Sequence, residues 1–168
     1  MPGYVPPHRR AIGTTAPLPQ VRPTYSPEAV AARFNVEHHK LHTLNGQDDG
    51  SLSAIAVYAD SQPGYHARPS QLFCHSHLFM LEGSIGRDFP VFEGRLKRYV
   101  PLNFEFAGWI RIVDVVYFEP RSEELISMVK QKFQGKARYE ELWSKSLDMQ
   151  WAVVTFEKVE GRIDNPMV

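Results

Sequence analysis

Seven histidines and a single cysteine are the residues in this chain whose types suggest metal or bond-making chemistry. His38, His39 and His42 form an HHxxH cluster, and His38 and His42 share a face if the stretch is helical. His75 and His77 stand two apart, which puts both on one face of a strand. Imidazoles from the two groups would suffice for a tetrahedral metal site if the groups met in space. No carboxylate stands at HExxH spacing, and nothing in the sequence joins the groups. The expectation is hydrogen-bonded or exposed histidines, with no metal and no cofactor assigned. Cys74 cannot be served by His75 or His77 on its own strand, because neighbouring strand residues point to opposite faces. A distant His38 or His66 would have to act as its base, so Cys74 reads as a core residue.

Other catalytic signatures are missing. There is no G-x-S-x-G, no Walker A loop and no dinucleotide fingerprint, and Gly83-Ser84-Ile85-Gly86 lacks the lysine that makes a phosphate loop specific. Glu82, Asp88, Glu93 and Asp114 are scattered without a diagnostic spacing. Asp114 interrupts an apolar face and calls for a partner such as an arginine, which makes it a structural ion pair before it is a functional acid. No catalytic residue is assigned, and a small hydrolase-like activity is the third-ranked reading.

Binding has more support. Residues 87–111 interleave Arg87, Arg95, Lys97, Arg98 and Arg111 with Phe89, Phe92, Tyr99, Phe104, Phe106 and Trp109. Cations hold phosphates while aromatic rings stack bases, and sites for single-stranded nucleic acid combine both. Asp88, Glu93 and Glu105 lower the local charge to plus two, and most of the rings are expected in the core. The leading reading is therefore a non-catalytic module with a protein partner, and single-stranded RNA or DNA is the alternative. The candidate binding residues are Arg95, Lys97, Arg98, Tyr99, Trp109 and Arg111. The nucleic-acid reading requires the basic trio at 95–98 to lie on one exposed face beside Tyr99 or Trp109. A protein-interaction module requires an exposed apolar patch instead.

The elements that must position these residues follow from composition and pattern. The 168 residues suit one domain that needs no disulfide staple, and the lone cysteine fits a reducing compartment. Nineteen basic residues balance nineteen acidic ones, which argues against a histone-like or strongly acidic chain. No apolar run reaches membrane-spanning length and no secretory signal is evident, so the expected location is cytoplasmic or nuclear, with no membrane partner. Seven of thirteen prolines fall in the first 27 residues, so 1–25 is expected to be a disordered proline-rich arm, carrying YVPPHRR as a possible docking motif.

Ser26-Pro27-Glu28 has the form of a helix start, with the helix ending at Asn35 or running on to His42. Residues 52–59 read as a strand, 61–70 as a loop, and 72–80 as an alternating strand with Phe73, His75, His77 and Phe79 on one face. Three glycines and Pro90 in 83–95 suggest turns around a short PVF segment. WIRIVDVVYF, 109–118, is the strongest strand, and because both faces are largely apolar it reads as central. Ser122 caps a helix that has Glu123 and Glu124 in its first turn and Lys130 and Lys132 in its last. A second helix over 138–147 and a strand over 151–159 follow. The class is α+β: one domain, 26–160, with a mixed or mostly antiparallel sheet, a C-terminal helix pair and a polar tail at 161–168.

The segments FAGWIRIVDVVYFEPRSEEL and WAVVTFEKVEG resemble a domain of unknown function in fungal proteins. The matching positions are Gly108, Trp109, Arg121, Ser122, Glu124, Leu125, Trp151–Val154 and Phe156–Lys158. The resemblance covers roughly 104–160, implies the fold of that region, and carries no active site.

Overall fold

The computed structural model describes residues 22–36, 40–47, 49–97, 100–133 and 140–168; the side chains of 96–97 and 100–102 are outside that description. Residues 1–21 of the arm expected at 1–25, with His38, His39, Arg98 and Tyr99, lie outside the described residues, and the arm's last two residues are not disordered, because Thr24–Tyr25 pair with Phe104–Glu105.

The chain runs β1 (Thr24–Tyr25), α1 (Pro27–Arg33), β2 (Leu44–Gly46), β3 (Leu52–Tyr58), β4 (Ser70–Cys74), β5 (Asp88–Lys97), β6 (Val100–Phe118), α2 (Glu123–Lys132), α3 (Glu140–Asp148) and β7 (Trp151–Lys158). It is an α+β domain built on one mixed sheet in the order β2-β3-β5-β6-β7-β4, curved into a half-barrel, with β1 added against β6. Among the described strands β3 and β5 run parallel, and the other pairings are antiparallel.

Local chemistry accounts for the helix starts. The Ser26 hydroxyl accepts from the Ala29 N–H and Pro27 occupies the first turn of α1, while Ser122 accepts from Leu125 N–H at the start of α2. α1 ends at Arg33, and Asn35 turns the chain with a positive φ of 51°.

Alternation in the strands divides the apolar residues between two faces. The inner face gathers Leu44, Ile55, Val57, Leu72, Val91, Ile112 and Val154 into the main core. On the outer face, α1 packs Val30 over Ala54, Ala56, Phe92 and Phe104, and α2 with α3 covers Phe73, Trp151 and Val153. The two ends of the sheet are linked without a strand pair: the buried Gln62 amide accepts from Phe73 N–H at 2.9 Å and donates to Phe73 C=O at 3.1 Å, substituting for a neighbouring strand.

Three expectations are corrected. β4 stops at Cys74, and His77 takes a left-handed conformation (φ 57°) that starts a 3-10 turn, Leu78–Leu81, so 72–80 is no continuous strand. The 83–95 region is not a short PVF segment among turns, because β5 is ten residues long. Pro90 is tolerated in it because β3 pairs with β5 only from Val91 onward, leaving the edge at Pro90 free of a donor requirement. Gly94 is required by packing: a methyl group there would sit 2.7 Å from a ring carbon of Phe104. The third correction concerns β6, which is central only through Ile112.

Candidate interaction surface

β6 is long enough to have two different neighbourhoods. Its first part pairs with β5 from Lys97↔Val100 to Asp88↔Arg111, and the Ile112 N–H still reaches Arg87 C=O at 3.2 Å. The segment Gly83–Arg87 then turns away, with Gly86 N–H on Ile112 C=O as its last bond to β6. From Val113 to Phe118, β6 is paired with β7 on one side only, and no described strand covers the other edge. A bulge between Ile112 and Asp114 marks the change.

Asp114 sits at that bulge. Its carboxylate accepts the Val115 N–H at 2.9 Å, and among the described residues it has no arginine partner, which corrects the expected ion pair.

Apolar side chains frame this edge. Phe79 is 61% exposed, Ile85 56% and Tyr117 45%, and with Val115 and Leu81 they line an open groove of about 520 Å³ on the inner side. Val113 and Val116 are also exposed. A second groove, about 600 Å³, lies on the outer side between Val116, Phe118 and α2. Glu82, Asp114, Glu123 and Glu124 line the two grooves and Glu119 follows the strand; among the described residues none of them is ion-paired. The only clue in the sequence was that both faces of 109–118 are apolar. Whether a strand is central or at an edge depends on long-range pairing.

Of the six sequence-derived candidates, Arg95, Trp109 and Arg111 are described, and they do not share this surface. Arg95 is exposed in a polar groove of about 660 Å³, with Glu93 and Glu105 directly opposite each other across β5 and β6. Ala107 lines the same groove and packs on the inner core. A bulge at Gly108 (φ 120°) leaves Ala107 unpaired, and beyond it Ile110 and Ile112 point inward. Trp109 and Arg111 therefore face outward, on the side opposite Arg95. Trp109 donates its indole N–H to Asp164 C=O at 2.8 Å, and the Arg162 guanidinium lies 3.3 Å from the centre of its ring. Arg111 makes a two-pronged pair with Asp88 at 2.8 and 3.2 Å, which lowers the Asp88 pKa and raises that of Arg111. Residues 161–168 thus lie against the domain, and the Arg33 side chain also donates to Pro166 C=O. The Lys97 side chain, Arg98 and Tyr99 lie outside the described residues.

The two histidine groups meet. His42 and His77 stack edge to face with ring centres 4.5 Å apart. Burial, then the neighbouring His77, Lys40 and His75, hold His42 below the usual imidazole pKa. Among the described residues no group of three or more metal-ligating side chains converges. Cys74 is buried, and burial pushes its thiol up to about 12, although Lys132 opposes this. A thiol that stays protonated at neutral pH is a poor nucleophile.

No helix among the described residues is long and apolar enough to cross a membrane. No protein-family model matches the chain, no curated protein matches it, and no solved structure matches it.

Proposed function

We propose that this chain is a non-catalytic protein-interaction module that binds an extended peptide segment of a partner by adding it to the free edge of β6 at Val113–Phe118. The observation that supports this reading is the uncovered edge itself, flanked by exposed Phe79, Ile85 and Tyr117. Main-chain groups of an added strand bond to the edge, and its alternate side chains reach the grooves on the two faces. The flanking carboxylates, unpaired among the described residues, select the partner's chemistry: apolar residues alternating with lysine or arginine.

The test is selection of a displayed short-peptide library against the protein, followed by anisotropy titration of the enriched peptides. Val115→Pro is the informative variant, because Val115 donates to the Asp114 side chain and proline is tolerated where an N–H faces outward. The expected peptides are poor in proline, alternate apolar with basic residues, bind the wild type, and lose binding to Val115→Pro while the variant melts as the wild type does. Undiminished binding to folded Val115→Pro overturns the proposal. So does salt-sensitive binding of single-stranded RNA that is lost in Arg95→Ala and indifferent to the peptide.

A further inference from the structure

A further cavity lies at the seam where the half-barrel fails to close. β3 and β4 lie toward opposite ends of the strand order, and the turn after β3 bridges to β4 through the Gln62 amide on Phe73 and through Gly64 C=O, which accepts from Gln71 N–H. Between them is a pocket of about 390 Å³, within the size range of small-ligand sites. The segment before β2 supplies Leu41 and His42, β3 supplies Tyr58, β4 supplies Phe73, and the end of α2 supplies Lys132 and Phe133. Phe104 of β6 forms part of the wall.

The walls have a distinct chemical balance. Aromatic rings of Tyr58, Phe73, Phe104 and Phe133 provide an apolar body site. Among the described lining residues the side chains able to carry charge at the rim, Lys132, His42 and His75, are all basic, and none is a carboxylate. The Lys132 ammonium is held in place by Ser61 C=O at 3.0 Å and lies 5.9 Å from the Trp151 ring centre. The Tyr58 hydroxyl has no hydrogen-bond partner among the described residues, and burial raises its pKa, so it stays a donor. Ser76 adds a hydroxyl, hydrogen-bonded to His75 at 3.2 Å.

We infer that this seam pocket is a binding site for a small aromatic carboxylate, its ring among Tyr58, Phe73, Phe104 and Phe133 and its carboxylate towards Lys132 and the Tyr58 hydroxyl. A charge-assisted bond to lysine in a partly dry pocket favours an anion over a neutral or cationic analogue of equal shape. His42 is depressed first by its burial and then by the neighbouring His77, Lys40 and His75, so it is the wall group whose titration an anion seated here would move. Cys74 in the floor takes no covalent part, because its thiol is held neutral.

The test compares three probes of one shape on the full chain by calorimetry and NMR: 2-naphthoate, naphthalene-2-methanol and 2-naphthylmethylammonium. The expected order places naphthoate at least about tenfold tighter than the alcohol and the ammonium weakest, a tenfold ratio corresponding to about 1.4 kcal/mol. Lys132→Met, which keeps an apolar stem over Trp151, should bring naphthoate down to the affinity of the alcohol and leave the alcohol unchanged. Bound naphthoate should raise the titration midpoint of His42. Equal affinity for the three probes, no saturable binding, or shifts confined to Val113–Phe118 would each overturn the assignment. Because charge preference is measured on the wild type, a misfolded variant cannot hide the answer.

Discussion

The two parts of β6 belong to one strand and are both rich in strand-forming residues, yet they differ in what surrounds them. Up to Ile112 the strand is bonded along its β5 side, with β7 on its other side from Ile110 and β1 at Phe104–Glu105, and Phe104, Ile110 and Ile112 are buried. Past the bulge it has one neighbour, and Val113, Val116 and Tyr117 are exposed. Phenylalanine and isoleucine in the first part and valine and tyrosine in the second all favour strands, so propensity alone does not tell a structural segment from an available one. The difference is made by Gly83–Arg87, which leaves β6 at Ile112 and so creates the edge.

Proline substitution gives the largest contrast. Ile112→Pro removes the bond to Arg87 and places a ring where both sides are paired, and a loss of about 3 kcal/mol or more is expected in chemical denaturation. Val115→Pro, only three positions on, should leave the midpoint close to that of the wild type. Truncation sharpens the same contrast: Ile112→Ala, at a fully buried side chain, should cost about 2–5 kcal/mol. Val116→Ala should stay within about 0.5 kcal/mol, as exposed positions do.

Packing across the first part is tested at Gly94. Gly94→Ala drives a methyl group into Phe104 and Tyr58 and should destabilise by about 1–3 kcal/mol with no direct effect on the β6 edge. Charge at the edge is a smaller matter. Glu123→Lys with Glu124→Lys should weaken a selected basic peptide by about two- to fivefold, the scale of exposed ion pairs, and the effect should shrink in high salt.

The smallest effect concerns pH. Because burial and the nearby His77, Lys40 and His75 depress His42, the unfolded chain binds more protons than the folded one just below the ordinary imidazole pKa. Stability should therefore rise with pH through that window and be lost as pH falls below about 6.5. His42→Gln should flatten the dependence of the melting temperature on pH.

The sequence revealed those features that depend on near neighbours. Ser26-Pro27 and Ser122-Glu123-Glu124 mark α1 and α2 because a cap and a dipole act within one turn. Trp151–Lys158 was legible from its apolar run. β5 was obscured by Pro90 and Gly94, which usually break strands; here one lies where no second strand pairs and the other makes room for Phe104. The alternation through His75 and His77 was misleading because it continues past the point where His77 turns the backbone. The free edge and the seam pocket were not readable, since each depends on elements distant in sequence: Ile85 beside Val115, and Lys132 beside Tyr58.

Amide hydrogen exchange on the unliganded full chain is the most direct test of the open edge. The account predicts slow exchange at Ile110 and Ile112, and fast exchange at Val115, whose N–H donates to the Asp114 side chain at an edge that no described strand covers. Adding a selected peptide should then slow exchange at Val115 and elsewhere between Val113 and Phe118, with little change before Ile112. Uniformly slow exchange from Val100 to Phe118 before any peptide is added would contradict the account, because the edge would already be covered.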